Sequence, residues 1–206
     1  MRDASVDWDA VYLDGGDWEL RHSRFAEKVK EYVPFPPAVD ILGFTPRATV
    51  LDAGCGSGRN LECFVQQGFY AAGIDLSVVA VKKAKEKELS ASEGSVEAIP
   101  FGSRVFDAVF CQWVLQYASD VEVAAQELLR VAKPGGYLFI ASDLNIIQEG
   151  KVVEYVREEA VRTAFESCAV LEEQLYIQDV RPGEDPHGAA HKHECFKLVL
   201  QKPKKF

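Results

Sequence analysis

Two groups of residues in this sequence have the types and spacing to do chemistry. The first is Val50-Leu51-Asp52-Ala53-Gly54-Cys55-Gly56-Ser57-Gly58-Arg59-Asn60. Here an apolar run ends on a carboxylate and passes through glycines into a helical pattern. Glycine at such a turn admits positive φ and lets a ligand approach the backbone with no Cβ in the way. Taken alone, the run reads equally well as a tight strand–helix turn. Asp75 adds to it, because it ends the next apolar run. A carboxylate there can accept both hydroxyl hydrogens of a ribose lying across the glycine loop. It can also serve as partner to a Ser77 helix cap. The functional reading narrows the ligand to a ribonucleoside. A Gly-x-Gly-x-x-Gly dinucleotide fingerprint starting at Gly54 needs glycine at 59, and Arg59 stands there. That bulk argues against a pyrophosphate resting on the helix N-terminus.

The second group is His187, His191, His193 and Cys195. On one strand, His191-x-His193-x-Cys195 would point three side chains to one face, able to bind a borderline metal or to supply a base. The reading preferred over a metal is a polar loop leading into an edge strand, so no metal is expected. Tyr117, His191 and His193 are the candidates for a catalytic base. Tyr12 and Trp18, in an Asp/Gly-rich stretch with Trp8, and Trp113 and Tyr117 further on, can wall an acceptor pocket or pack as ordinary core. The loop Ser142-Asp143-Leu144-Asn145 belongs to the same set.

The elements that must position these residues alternate. Phe25, Val29 and Val33 lie at helical spacing before Pro34-Phe35-Pro36-Pro37, and a short helix is expected after Pro37. Ala48–Leu51 is β-like. Leu61, Phe64, Val65 and Gly68 mark an amphipathic helix with its cap. Phe69–Ile74 reads as a strand, Ser77 as the N-cap of a helix through Lys87, and Val105–Phe110 as a strand. Ser119-x-x-Glu122 forms a capping box before a further helix. Pro134-Gly135-Gly136 turns the chain into the strand Tyr137–Ala141. This alternation predicts a parallel sheet covered on both faces. Lys151–Cys168 is expected as a helix with Glu158 and Arg162 paired. Val170–Val180 and Glu194–Gln201 are expected as an antiparallel edge.

The whole is expected to be one α/β domain. Residues 1–45 form an amino-terminal helical lead or lid, 46–142 the ligand-binding half and 143–206 the half that completes the sheet. The 206 residues fit one domain of ~100–200 residues. Lys+Arg 23 against Asp+Glu 32 leaves −9, which disfavours a broad nucleic-acid grip through phosphate neutralisation. The five cysteines are odd in number and scattered, so no disulfide framework is expected. No run approaches the ~18–20 apolar residues of a membrane span, and the acidic start lacks a signal peptide's apolar stretch. A cytoplasmic location follows as an expectation.

In these segments the sequence resembles the class I S-adenosylmethionine-dependent methyltransferases, over Val50 to Ile140. Residues 50–58 resemble the family's first motif, and Gly73-Ile74-Asp75-Leu76-Ser77 its ribose motif. Gly94-Ser95-Val96-Glu97-Ala98-Ile99-Pro100-Phe101 is similar to the adenine-reading segment. Phe106–Val109 and Leu128–Tyr137 are similar to the fourth strand and the passage into the fifth.

The resemblance implies a Rossmann-like three-layer sandwich whose mostly parallel, seven-stranded sheet has an antiparallel carboxyl-terminal edge. It implies S-adenosyl-L-methionine as cofactor and S-adenosyl-L-homocysteine as product. Asp52, Gly54, Cys55, Gly56, Gly58 and Asn60 would face the methionyl part, with Cys55 itself read as a packed side chain. Asp75 and Ser77 would lie at the ribose and Leu76 on the adenine ring. Ser95, Val96 and Glu97 would lie at the adenine edge, and Cys111 and Gln112 near the amino-acid end. Ser95 departs from the family, which often has Asp there.

The chemistry implied is an in-line displacement at a sulfonium methyl, which asks the protein mainly to align and to exclude water. Asp/Asn-Pro-Pro-Tyr/Phe and Pro-Cys nucleophile motifs are absent from the sequence, and a small-molecule acceptor leads, served by a monomer or homodimer. A His before the last strand also resembles small methyltransferases of the tellurite-resistance type. A non-catalytic nucleoside-binding partner subunit and an NAD-dependent oxidoreductase are the alternatives. Deleting residues 1–19 is expected to cripple transfer if they form a lid.

Overall fold

The computed structural model describes residues 6–13, 24–33, 48–180 and 190–204. The expected helix after Pro37, Trp18 and His187 lie outside these. The chain begins with α1 (Trp8–Leu13), α2 (Arg24–Glu27) and α3 (Val29–Tyr32). The alternation follows: β1 (Thr49–Ala53), α4 (Arg59–Gln66), β2 (Tyr70–Asp75), α5 (Val78–Glu86), β3 (Ala91–Glu93), β4 (Phe106–Gln112), α6 (Val121–Val131) and β5 (Ala132–Gln148). It closes with β6 (Lys151–Glu154), α7 (Glu158–Ala164), β7 (Ala169–Val180) and β8 (His191–Gln201).

The strands form one sheet in the order β3-β2-β1-β4-β5-β8-β7, with β6 on β5. Pairing is parallel from β3 through to β5 and antiparallel for β5–β8, β7–β8 and β5–β6. Alternate residues of each parallel strand serve opposite faces. Leu51, Val109, Leu138 and Ile140 pack with Leu128 of α6 and Val161 of α7. Val50, Phe110 and Phe139 pack with Phe64 of α4 and Val29 of α3. From β1 the chain builds outward through β2 to β3, then returns to place β4 on the other side of β1. This reversal opens a crevice at the carboxyl ends of β1 and β4, where open α/β sheets bind ligands.

One expected element is different. Lys151–Cys168 is not a single helix; its first residues form β6, and the helix is confined to Glu158–Ala164. Glu149 and Gly150 both have positive φ, at 50° and 76°, which makes a two-residue hairpin turn between Gln148 and Lys151. The β-branched pair Val152-Val153 then continues as a strand, and the sheet gains an eighth member. The Glu158–Arg162 pair forms as expected, at 2.6 Å.

The cap of α6 also differs from the expected box. Asp120, not Ser119, is the N-cap, accepting from the N–H groups of Glu122 and Val123. The returning carboxylate belongs to Glu97, which accepts from the N–H of Asp120 at 2.9 Å. A loop after β3 thereby does what Glu122 was expected to do.

Asp107 ties β1, β4 and β5 together. Its carboxylate accepts from the Thr49 N–H and hydroxyl, both at 2.8 Å, and from Lys133 Nζ. Burial alone would raise its carboxyl, but the bonds from Lys133 and Thr49 outweigh that and hold it below the usual range. Its stabilisation is therefore complete above the unfolded value of ~3.9 and is lost as pH falls through the lower folded value. Thermal unfolding of Asp107→Asn against the parent should show a deficit at pH 7 that closes towards pH 3. A deficit independent of pH would contradict this.

Candidate active site

The glycine turn is built by positive φ at Gly54, Gly56 and Gly58, at 85°, 53° and 89°. Gly54 and Cys55 N–H both donate to Ile74 O at 2.8 Å, which fastens the turn to the end of β2. Space is as restrictive as conformation at Gly54, where a Cβ would stand 2.1 Å from Val114 Cγ2. Cys55 points away from the crevice. It is buried, and its side chain fills the space a Cβ on Gly73 would need, so it is a packed residue as expected.

Asp75 closes β2 directly beside this turn. One carboxylate oxygen accepts from Gly56 N–H at 2.8 Å and the other from Ser77 N–H at 2.9 Å. Both readings of Asp75 in the sequence are thus compatible, since a carboxylate has about four acceptor sites and two are taken. Burial raises its carboxyl, only partly offset by the two N–H donors, and the nearby Asp9 charge raises it further. Ser77 has a separate duty: its hydroxyl accepts from Ala80 N–H as the cap of α5 and donates to Asp9 at 2.5 Å.

In front of these residues lies an open cleft with about 90 Å³ of accessible space. Gly54, Asp75 and Leu76 form its floor, with Leu76 59% exposed. An exposed leucine beside a carboxylate suits a ring carrying a diol. Ser95, Val96 and Glu97 line one end, where Ser95 Oγ accepts from Glu97 N–H at 3.1 Å. Tyr12, Trp113 and Tyr117 line the other walls, joined by Trp8, Val114 and Ala118.

Other expected ligand residues lie behind this surface. Asp52 and Asn60 are buried, and Cys111 is a core residue whose thiol burial pushes far up, aided by Asp52. Gly58 stands at the N-terminus of α4, and Gln112 ends β4 half-buried; neither lines the cleft.

The short helix α1 crosses the opening and is held there by polar contacts. Asp9 accepts from the Ser77 hydroxyl and from Val79 N–H at 3.1 Å; these bonds keep its carboxyl below the usual range. Lys83 Nζ donates to Tyr12 O at 2.6 Å, and the Trp8 ring meets Tyr117 edge to face at 4.7 Å. Asp9 is a residue that sequence reasoning missed. An Asp in an acidic lead carries no local sign that it will reach the N-terminus of a distant helix.

His191, His193 and Cys195 do share a face of β8, but they do not line the cleft. His191 Nε2 lies 2.7 Å from His193 Nε2, and His193 Nδ1 lies 2.9 Å from Asp143. Among the described residues no group of three or more His, Cys, Asp or Glu is placed to hold a metal ion. Gln116, in the 3₁₀ turn Leu115–Tyr117, joins this cluster and was also missed.

Residues 51–140 match the family described as "Methyltransferase domain". Over 105 residues, half of this chain, the sequence is 33% identical to a demethylmenaquinone methyltransferase of Renibacterium salmoninarum, covering 44% of that protein. Over 91 residues, 43% of this chain, it is 35% identical to a malonyl-[acyl-carrier protein] O-methyltransferase of Salmonella typhimurium, covering 36% of it. The matched part thus takes in under half the length of these curated relatives. The fold is similar to a SAM-dependent methyltransferase of Methanosarcina mazei, with a TM-score of 0.63 at 17% identity, covering 79% of this chain and 95% of that one. Fold, glycine turn, Asp75 and family match together support a class I S-adenosylmethionine-dependent methyltransferase. The family match spans under half of this chain.

Proposed function

We propose that the chain transfers the methyl group of S-adenosyl-L-methionine to a small, planar, largely apolar acceptor held in the cleft. The observation that carries this reading is Asp75, a partly buried carboxylate with spare acceptor capacity between a glycine turn and the exposed face of Leu76. S-adenosyl-L-methionine, when bound, supplies a methyl already activated on a sulfonium sulfur. The chain's own residues then bind, orient and keep out water.

In this reading Asp75 accepts from the ribose hydroxyls and Leu76 packs on the base, with Ser95 and the Val96 backbone at its edge. Tyr12, Trp113 and Tyr117 wall the side where methyl and acceptor meet. Their π faces suit a cation and their bulk excludes water. Tyr117 is the titratable group best placed to orient an acceptor; the His191–His193 pair is engaged elsewhere and is assigned no proton transfer. Residues 1–45, 46–142 and 143–206 act as lead, cofactor half and completing half of one domain. Of the acceptors in the relatives' names, demethylmenaquinone supports a planar, apolar acceptor, whereas malonyl-[acyl-carrier protein] presents its malonyl group on a carrier protein. Among the described residues no helix is long and apolar enough to cross a membrane.

The test is transfer of labelled methyl to a panel of demethylated quinones, malonyl thioesters, RNA and protein. Label on a small molecule is expected; label confined to RNA or protein would contradict the reading. Ser95 offers a finer check. Ser95→Asp places a carboxylate where the base's exocyclic amine would lie, adding a charged hydrogen bond of ~1.5–3 kcal/mol, offset by repulsion from Asp75 and Glu97. S-adenosylhomocysteine should bind about fivefold more tightly by calorimetry. Unchanged or weaker binding would remove Ser95 from the adenine edge.

A further inference from the structure

Between the cleft and the antiparallel edge lies a buried polar network that the proposed reaction does not use. Its centre is Asp143, at a bulge where the β5–β8 register slips between Asp143 and Asn145. One carboxylate oxygen lies 2.9 Å from His193 Nδ1 and accepts from the Cys195 thiol at 3.3 Å. The other accepts from Gln116 Nε2 at 3.2 Å. Gln116 Oε1 in turn accepts from the Ser142 hydroxyl at 2.7 Å. Gln116, Ser142 and Asp143 are all buried. Burial, reinforced by the Asp143 charge, keeps the Cys195 thiol protonated and so a donor. The 2.7 Å contact between the His191 and His193 Nε2 atoms leaves room for one hydrogen between the rings. His193 is therefore oriented from both ends. Buried polar groups satisfied in this way fix a single geometry.

What they fix is the segment after β4. Trp113, Val114, Tyr117 and Ala118 face the cleft. Leu115 enters the apolar core, and Gln116 points into the network. Trp113 has φ 59°, a conformation that a bulky L residue holds only when its surroundings enforce it. Its N–H donates to Ala141 O at 2.8 Å, on the residue just before Ser142.

We infer that Gln116 and Asp143 are positioning residues for the aromatic wall of the cleft. The Gln116 amide, held by Asp143 on one side and Ser142 on the other, sets how far Trp113 and Tyr117 project. The meaning of that wall as an acceptor wall rests on the proposed function; its placement by Gln116 does not.

The test uses the full chain with Trp8→Phe and Trp18→Phe, leaving Trp113 as the sole tryptophan. Gln116→Leu keeps most of the bulk and removes both amide hydrogen bonds. The acrylamide quenching constant of Trp113 should rise about two- to threefold, with the dissociation constant of S-adenosylhomocysteine within about twofold of its parent. The affinity is spared because Asp75, Leu76 and Ser95 stand on other elements. Ser142→Ala, a milder change, should move Trp113 in the same direction by less and guards against a misfolded leucine variant. Unchanged quenching in both variants would overturn the inference. So would a rise accompanied by an equal loss of cofactor affinity and thermal midpoint, which marks general loosening. If the chain with all its tryptophans does not bind S-adenosylhomocysteine, the methyltransferase reading fails, while the quenching comparison still decides the role of Gln116.

Discussion

Replacing Asp75 with alanine is expected to weaken S-adenosylhomocysteine binding about 100-fold, because two hydrogen bonds to a carboxylate are lost, together ~3 kcal/mol. The free protein should tolerate the change. Burial disfavours the ionised form of Asp75 and raises its carboxyl, so the charge costs the ligand-free fold some stability at neutral pH. That cost is relieved as pH falls through the raised folded value, where the native state binds the proton more readily than the unfolded chain. Cofactor affinity should run the opposite way. Ribose hydroxyls donate to the ionised form, so binding weakens as pH falls through the same range and is accompanied by proton release. Calorimetry of the parent and of Asp75→Asn, from neutral pH down into the ordinary carboxylate range near ~4, separates the two effects. The parent should lose affinity on acidification and the asparagine variant should not. A similar slope in both would place the titrating group elsewhere.

Deleting residues 1–19 should lower kcat/KM at least ~100-fold, since a site that cannot exclude water or hold its near-attack geometry loses most of its alignment advantage. The deletion removes Trp8 and Tyr12 from the cleft and strips Asp9 from Ser77 and Val79. It also exposes the floor that α1 covers. S-adenosylhomocysteine affinity should fall far less, by about tenfold, because Asp75 and Leu76 remain. Asp9→Ala is the gentler form of the experiment. It leaves the aromatic residues in the chain but unfastens the helix, and should give part of the same loss. Full activity in the truncated chain would mean that α1 is not a lid.

The parts of the fold and site that were legible from sequence are those fixed by neighbours in the chain. Gly54, Gly56 and Gly58 follow an apolar run and need positive φ, and Ser77 caps the helix just after it. Such features depend on a few adjacent residues. The alternation of apolar runs with helical patterns then makes the parallel sheet the natural arrangement. The cleft-lining Tyr12, Trp113 and Tyr117 were legible as candidates because large aromatics in polar segments need a surface to cover.

What was not legible depends on contacts between distant segments. Glu97 capping α6 and Asp9 reaching α5 are pairings that no local pattern encodes. The β6 hairpin was masked by helix-favouring glutamates and by the spacing of Val153, Val156 and Ala160. Its turn, Glu149-Gly150, was the available sign. His191, His193 and Cys195 showed their shared face in their alternation. Their real partners, Asp143 and Gln116, came from a bulge and a 3₁₀ turn elsewhere. Of the predicted ligand residues, Gly54 at the start of the glycine turn and Asp75 face the cleft, whereas Asp52, Asn60 and Cys111 are buried behind it.

Titration calorimetry of the intact chain with S-adenosylhomocysteine and, separately, with NAD tests the central claim most directly. The account predicts one-to-one binding of S-adenosylhomocysteine with a dissociation constant on the order of micromolar, and no measurable heat with NAD. The ribose carboxylate is common to both ligands, but Arg59 stands where a pyrophosphate would need glycine. Binding of NAD with no affinity for S-adenosylhomocysteine would contradict it.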